Sequence, residues 1–209
     1  MTSGRVPELV LASASPRRAD VLRQLGLDFR IHPADVDESR REGEEPSTYV
    51  ERLAREKARA VVADGSTESG AVVVAGDTVV VHRGRVLLKP DDPVDAVAIL
   101  EELSGDTHEV LTGVAVARGA ELESGVARAE VRFSDVDRAT LEAYVATGES
   151  MDKAGAYGIQ GRGAALIAGI GGDYYVVVGQ PVTLLLELLG RLGVRYDFSA
   201  SLVLEPPPS

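Results

Sequence analysis

The chain has 209 residues, of which 44% are hydrophobic and 26% charged, a composition typical of a globular protein that excludes a disordered chain, a collagen and a coiled coil. Cysteine is absent, which excludes disulfides, thiolate zinc sites and a cysteine nucleophile. With 33 acidic and 22 basic residues the formal net charge is −11, so we expect neither a nucleic acid polymer nor a membrane as a partner. Because no stretch resembles a signal peptide or a membrane span, the sequence predicts a cytoplasmic protein.

The first predicted unit is a strand over residues 9–12, a turn, and a helix. Ser15 and Pro16 are typical of an N-cap and of the first helical position, and Gly26 is typical of a helix end. A second strand, over about residues 29–32, then leads into an acidic loop.

A long amphipathic helix follows the acidic loop and reaches about Ala63. Thr48 and Glu51 fit a capping box, so this helix is expected to begin near Ser47 or Thr48. After a polar break, the apolar run at residues 71–75 predicts a buried strand.

This strand is expected to end at Gly76-Asp77-Thr78, and a hairpin with Arg83-Gly84 at its turn follows. The remaining predicted elements are a helix from Asp92 and Pro93 to Gly105, strands over about residues 108–118 and 121–133, a helix over about 137–147, a glycine-spaced segment over 153–163, strand-like runs over 165–168 and 174–178, and a helix opened by Pro181. Alternating strands and helices with antiparallel hairpins predict a mixed α/β sheet. We expect one domain over residues 1–204 and a disordered tail over residues 205–209.

Two arginines stand in the first turn of the first predicted helix. Free amides at a helix N-terminus attract anions and disfavour a cation by about 0.3–1 kcal/mol, so Arg17 and Arg18 break a local rule. A bound polyphosphate would explain them, because guanidinium groups and helix amides would face the same anion. The alternative is that both side chains point into water.

Asp77 stands at the carboxyl end of a predicted central strand, where open α/β sheets bind ligands. Asp37 and Glu38 of the acidic loop would supply further oxygens for Mg²⁺, which usually bridges one or two carboxylates to a phosphate. The alternatives are a turn residue that caps its own backbone for Asp77 and a solvated loop for Asp37 and Glu38.

The chain has three lysines, Lys57, Lys89 and Lys153, which all lie near these segments and suit phosphate as mobile charges; chance placement is the alternative. The segment 153–163 has glycines at positions 155, 158, 161 and 163, a spacing that lets backbone amides approach a ligand. It matches neither a Walker loop nor a dinucleotide fingerprint. Gln160 would read a base edge, or else is an exposed loop amide.

In this order the motifs resemble the Maf family of nucleoside triphosphate pyrophosphatases, also called septum formation inhibitor proteins. The resemblance runs from about residue 8 to residue 193. It rests on the segments Ala12-Ser13-Ala14-Ser15-Pro16-Arg17-Arg18, Arg55-Glu56-Lys57-Ala58, Gly76-Asp77-Thr78, Leu88-Lys89-Pro90, Leu103-Ser104-Gly105 with His108 and Thr112-Gly113, Asp152-Lys153-Ala154-Gly155-Ala156-Tyr157-Gly158-Ile159-Gln160-Gly161, and Val177-Val178-Gly179.

The resemblance implies a fold related to the inosine triphosphate pyrophosphatases, with a mixed twisted sheet flanked by helices and two lobes around a deep cleft. It also implies hydrolysis of a nucleoside triphosphate to the monophosphate and pyrophosphate, dependent on Mg²⁺ or Mn²⁺. A homodimer is compatible with the family.

The resemblance also assigns roles to individual residues. Asp77 matches the catalytic or metal-holding carboxylate, and Glu38 matches an acidic site position that would share the metal. The positions that line the phosphate path are Ser15, Arg17, Arg18, Lys57 and Lys89, and those associated with the choice of base are Arg17, Thr78 and Gln160.

Thr78 together with Gln160 resembles the branch that prefers dTTP and UTP, with CTP and modified pyrimidine nucleotides as further candidates. The branch that acts on 7-methyl-GTP has lysine and glutamate at these two places. Val176 and Gln180 depart from the family, which often has asparagine and leucine there. The alternatives are the same reaction on 7-methyl-GTP and a non-catalytic nucleotide-binding regulator of cell division.

Overall fold

The computed structural model describes residues 6–199 and 201–204, so the predicted tail over 205–209 lies outside the described residues. The strands are β1 Leu9–Leu11, β2 Arg30–Ile31, β3 Val72–His82, β4 Arg85–Leu87, β5 Thr107–Arg118, β6 Glu121–Phe133, β7 Ile167–Gly172, β8 Val194–Asp197 and β9 Ser201–Leu204. The α-helices are α1 Pro16–Gln24, α2 Pro46–Ala63, α3 Pro93–Leu103, α4 Arg138–Val145, α5 Tyr174–Val178 and α6 Val182–Arg191, with short 3₁₀ turns at Ala154–Ala156 and Gly161–Leu166. In the part of the chain that the structure describes, no helix is long and apolar enough to cross a membrane.

Seven of the described strands form one sheet in the order β2-β1-β3-β5-β6-β7, with β4 paired to β3, and β8 and β9 form a separate hairpin. β1 is parallel to both β2 and β3, whereas β4 is antiparallel to β3 and β7 to β6. This combination of parallel and antiparallel pairs confirms the predicted mixed α/β sheet.

The chain divides into two compact units, in agreement with the predicted lobes. The first unit comprises the chain up to Asp77, Gly113–Val126 and the chain from Gly179 onward, and the second comprises Thr78–Thr112 and Ala127–Val178. The assignment of residues 1–204 to one domain stays a prediction.

In the first unit, alternate residues of β1 and β3 face opposite sides of the sheet, as the period of two in a strand requires. Leu11 and Val74 belong to a core cluster with residues of α1 and α6. Val10 and Val73 belong to a second cluster with Ala54 and other residues of α2. Helix α2 therefore packs on the side of the sheet opposite to α1 and α6.

Several local predictions are confirmed because short-range chemistry determines them. Ser15 is the N-cap of α1 with Pro16 in the first turn, and Asp92 caps α3 through bonds from the amides of Val94 and Asp95. Other confirmed elements are the hairpin turn at Arg83-Gly84, the long strands β5 and β6, the helix predicted over about 137–147, which is α4, and the opening of α6 after Pro181.

The predicted end of the third strand at Gly76-Asp77-Thr78 is wrong, because β3 continues through these residues to His82. Gly76 serves close packing rather than a turn. A Cβ atom there would lie 3.1 Å from the carbonyl oxygen of Gly113 and 3.2 Å from Nε of Arg18. Asp77 therefore stands in the middle of a strand, and the alternative of a self-capping turn residue is excluded.

The capping box predicted at the start of the second helix is also wrong. Helix α2 begins at Pro46, its N-cap residue is Glu45, and no side chain caps it by a hydrogen bond. Proline is favourable in the first helical turn because its φ angle is preset and its missing N–H is not needed there. The carboxylate of Glu51 instead accepts a hydrogen bond from the Ser124 hydroxyl at 2.6 Å.

The strand predicted over residues 174–178 is instead the short helix α5. Asp173 begins it, because its carboxylate accepts a hydrogen bond from the Tyr175 amide at 2.8 Å. The strand-like run predicted at 165–168 corresponds to β7, which begins at Ile167 and extends to Gly172. Strands β8 and β9 have no counterpart among the predictions.

His108 lies in the core of the second unit and makes stability dependent on pH. Its Nε2 lies 2.7 Å from the Tyr157 hydroxyl, and the side chain is buried. Burial, reinforced by the charge of His82 and opposed by Asp106, lowers the pKa of His108 to about 4.

The unfolded chain therefore binds the histidine proton more readily than the folded chain between about pH 4 and pH 6.5. We expect His108 to contribute a loss of about 3 kcal/mol in the free energy of unfolding as the pH falls through this range. Urea unfolding from pH 7.5 to pH 4.5 tests this, with H108Q expected to flatten the dependence. The same pH slope in H108Q and the original protein would contradict it.

Gln180, one of the two departures from the family pattern, is fully buried. Within the described part of the chain its amide nitrogen and oxygen make no hydrogen bond. Because a buried polar group without a partner costs about 1–3 kcal/mol, we expect Gln180→Leu to raise the free energy of unfolding by about that amount. Urea unfolding measures the gain, with the exposed Gln24→Leu as a control; no gain at position 180 would contradict the prediction.

Candidate active site

A lysine held between two carboxylates forms the charged centre of the first unit. Asp77 comes from β3, Lys57 from α2, and Glu38 from the loop between β2 and α2. The Nζ of Lys57 lies 2.8 Å from Oδ1 of Asp77 and 2.6 Å from Oε1 of Glu38. The side chains of Lys57 and Asp77 are only 10% and 14% exposed, whereas that of Glu38 is 53% exposed.

These residues fit a divalent cation held partly by the protein and partly by its ligand. The carboxylates of Glu38 and Asp77 both contact the ammonium of Lys57. Carboxylate oxygens are the donors that Mg²⁺ prefers, usually one or two per ion beside phosphate and water oxygens. No group of three or more histidine, aspartate or glutamate side chains in the described chain is arranged to hold a metal ion. Glu38 and Asp77 therefore fit a shared cation, and an all-protein cage is not present among these residues.

The start of α1 contributes a second polar group to the first unit. The Oγ of Ser15 accepts a hydrogen bond from the Arg18 amide at 3.5 Å, and the Ser15 amide donates a hydrogen bond to Oγ of Ser13 at 3.2 Å. Arg17 is half-buried. A helix N-terminus of this kind attracts anions, which is consistent with the predicted phosphate role of Ser15 and Arg17.

The structure places Arg18 differently from Arg17. Its guanidinium is buried and donates from Nε to the Gly179 carbonyl at 2.8 Å and from Nη1 to Oγ of Ser13 at 2.9 Å. Burial lowers the pKa of Arg18, and the charge of Asp77 opposes that shift. Two of its donors are therefore bonded within the protein, and a contact of Arg18 with phosphate stays a prediction.

The second unit contains the other three predicted site residues, Thr78, Lys89 and Gln160. The hydroxyl of Thr78 lies 2.9 Å from that of the buried Thr112, which donates to the Val176 carbonyl at 2.8 Å. Lys89 is exposed.

The glycine-spaced segment packs closely against its own unit. The Gly155 amide donates to the Leu88 carbonyl, directly before Lys89, at 3.1 Å. A Cβ atom on Gly155 would lie 2.8 Å from the side chain of Val80, so this glycine is required for contact with β3 as well as for its positive φ. Close approach and not only amide exposure therefore explains this spacing.

Glu149, for which the sequence predicts no role, binds the part of this segment that carries Gln160. Its carboxylate accepts hydrogen bonds from the amides of Arg162 and Gly163, at 3.0 Å each, and from the Tyr144 hydroxyl at 3.2 Å. No local pattern marks a glutamate that bonds to amides so far along the chain. The half-buried Gln160 is thus carried by a segment that Glu149 closes.

Lys153 differs from the other two lysines. Its Nζ donates to the Glu149 carbonyl at 2.5 Å and to the Asp152 carboxylate at 2.5 Å. These bonds show a structural role for Lys153, whereas Lys57 touches the two acidic side chains of the candidate site.

The chain combines a mixed α/β sheet with a helix N-terminus that carries two arginines and with a lysine that contacts two carboxylates. These features suit a protein that binds a phosphate-bearing ligand together with a cation. The family model described as Maf-like protein matches residues 8–192, and the chain belongs to this family. The family resemblance seen in the sequence is thereby confirmed.

The chain is also similar to individual proteins of other organisms. The chain is 54% identical over 189 residues to a dTTP/UTP pyrophosphatase of Moorella thermoacetica, covering 90% of this chain and 96% of that protein. It is 50% identical over 186 residues to a dTTP/UTP pyrophosphatase of Symbiobacterium thermophilum, covering 89% and 94%. A solved structure of a nucleoside-triphosphatase, or dITP/XTP pyrophosphatase, from Mycobacterium abscessus is 17% identical, with a TM-score of 0.40 and coverage of 88% and 94%.

Proposed function

We propose that the chain is a divalent-metal-dependent nucleoside triphosphate pyrophosphatase that hydrolyses dTTP and UTP to the monophosphate and pyrophosphate. The observation that carries the proposal is the contact of Lys57 with both Asp77 and Glu38. The names of the relatives from Moorella and Symbiobacterium, which are similar over most of the chain, support the choice of substrate.

In this reaction water attacks the α-phosphorus, the bond from that phosphorus to the bridging oxygen breaks, and pyrophosphate leaves. We assign the water proton to the Asp77 carboxylate, because a positioned carboxylate is an effective general base. Lys57 holds Oδ1 of Asp77 at 2.8 Å and so orients the carboxylate. The Asp77 carboxylate takes up this proton as the new P–O bond forms.

Glu38 and Asp77 would hold Mg²⁺ or Mn²⁺, which neutralises phosphate charge when it is bound. Ser15, Arg17 and Lys89 are proposed to bind phosphate oxygens, for which guanidinium, ammonium and helix amides are suited. Arg17, Thr78 and Gln160 are proposed to select the base. A homodimer and a cytoplasmic location stay predictions from the sequence.

The test is pyrophosphate release from dTTP, UTP, CTP, ATP, GTP and 7-methyl-GTP, with Mg²⁺ or Mn²⁺ and with a chelator as the control. Preferential release from dTTP and UTP that requires the metal supports the proposal. Release from 7-methyl-GTP alone would retain the reaction and contradict the assignment of Thr78 and Gln160. Binding without any release would instead indicate a nucleotide-binding regulator.

A further inference from the structure

Glu38 lies on a segment without helix or strand structure. Between β2 and α2, residues 32–45 form neither helix nor strand. The Glu38 side chain is 53% exposed, so its packing alone does not fix where the carboxylate lies. Its position beside Lys57 therefore depends on what anchors the backbone of this segment.

The phenol of Tyr49, in the first turns of α2, provides such an anchor. Its hydroxyl donates to the backbone carbonyl of Glu38 at 2.7 Å, and the tyrosine is 5% exposed. A buried aromatic side chain has few rotatable bonds, so the position of its hydroxyl is fixed relative to its helix. The Glu38 carbonyl that it binds is therefore fixed relative to α2 as well. The same helix carries Lys57, so Tyr49 and Lys57, which both contact Glu38, belong to one rigid element.

Arg52 holds the same stretch one turn further along α2. Its Nη2 donates to the Ser39 carbonyl at 3.1 Å, and its guanidinium lies 5.5 Å from the centroid of the Tyr49 ring. Arg52 also binds both carboxylate oxygens of Glu44, at 2.6 Å and 2.8 Å. The side chain of Glu44 is only 6% exposed, so the forked ion pair is shielded from water.

The carbonyls of Glu38 and Ser39 are thus held by adjacent turns of one helix, and Glu44 ties down the far end of the segment. We propose that Tyr49 is a positioning residue of the cation site, whose hydroxyl, supported by Arg52 and Glu44, keeps the Glu38 carboxylate beside Asp77. The proposal rests on the proposed function, because it takes Glu38 and Asp77 as the pair that binds the metal.

The test compares Tyr49→Phe with Tyr196→Phe. Tyr196 provides a matched control, because its hydroxyl also donates to a backbone carbonyl at 2.7 Å, that of Leu25, away from Glu38. Mn²⁺ affinity is measured from the electron paramagnetic resonance of free Mn²⁺ without nucleotide, and the Mg²⁺ concentration for half-maximal pyrophosphate release is measured with dTTP. Arg52→Lys, which keeps the charge and loses the fork, is the second variant, and Glu38→Gln is the reference.

We expect Tyr49→Phe to weaken Mn²⁺ binding by about tenfold, as loss of a residue that orients a metal ligand does. The half-saturating Mg²⁺ concentration should rise by a similar factor while kcat at saturating Mg²⁺ stays within about twofold, a split that general loss of structure would not produce. Arg52→Lys should change both in the same direction, and Tyr196→Phe neither.

Equal Mn²⁺ affinities for Tyr49→Phe and Tyr196→Phe would overturn the proposal. So would unchanged Mn²⁺ affinity in Glu38→Gln, or no Mn²⁺ binding by the unaltered protein. If the affinities follow the expected order but no nucleotide is hydrolysed, the positioning role is supported and the proposed pyrophosphatase activity is contradicted.

Discussion

Replacing Asp77 with asparagine is expected to lower kcat for dTTP and UTP by about a thousandfold, within the range that loss of a general base produces. Asparagine has nearly the shape of aspartate, and its side-chain oxygen still accepts the bond that Lys57 makes at 2.8 Å. The change removes the negative charge and the basicity while leaving β3 in place. Because the proposed cation site of Glu38 and Asp77 would also lose one carboxylate, the Mg²⁺ concentration needed for activity should rise as well.

Pyrophosphate release measured over a range of Mg²⁺ concentrations checks this expectation, and thermal unfolding shows whether the fold is retained. Asp20→Asn is the control, because Asp20 lies on α1 with an exposed carboxylate paired to Arg23. The control should keep its activity. Near-normal turnover in Asp77→Asn at saturating Mg²⁺ would exclude Asp77 as the proton acceptor.

Replacing Gly113 with alanine is expected to lower the free energy of unfolding by about 3 kcal/mol, at the upper end of ordinary overpacking effects. A Cβ atom at this position of β5 would lie 2.4 Å from the carbonyl oxygen of Val50 and 2.8 Å from the amide nitrogen of Glu51. Both are backbone atoms of α2, so no side-chain rotation relieves the overlap. The helix must move away from the sheet.

Such a shift of α2 should also reduce activity, because the helix carries Lys57 and Tyr49. Urea unfolding and pyrophosphate release measure the two effects. Gly190→Ala is the matched control, because Gly190 lies in α6 with open space at the Cβ position, and alanine there should stabilise the helix by about 1 kcal/mol. Equal stability of Gly113→Ala and the original protein would show that α2 lies further from β5 than the structure has it.

The parts of the fold that the sequence predicts correctly depend on neighbouring residues. Ser15 caps α1 and Asp92 caps α3, because a side-chain oxygen reaches amides two or three residues away. The turn at Arg83-Gly84 follows from the ease with which glycine adopts positive φ. None of these requires knowledge of the rest of the chain.

One error involves a close contact between distant residues, and another involves a local cap that the apolar run concealed. The pattern at Gly76 predicts a strand end, but this residue lies inside β3, where a Cβ atom would lie only 3.1 Å from the carbonyl oxygen of Gly113. The valines of α5 favour a strand, yet the cap from Asp173 begins a helix there.

The candidate site divides in the same way. The sequence marks Asp77 by its place after an apolar run, Glu38 by the acidic loop and Lys57 as one of three lysines, and the family resemblance includes all three. Their mutual contacts, and the contribution of Tyr49 through its hydroxyl, appear only in the folded chain. A buried tyrosine on an amphipathic helix is indistinguishable in sequence from a packing residue.

The sequence by itself therefore determined the class of fold, because periodicity and capping are local properties of the chain, and its motifs, through their resemblance to a family, gave the family and the candidate site residues. Only the tertiary structure decided that Arg18 is committed to Gly179, that Lys57 is shared by two carboxylates, and that α2 lies against the backbone of β5. These contacts join residues that are not neighbours in the chain, so no local pattern of residues encodes them.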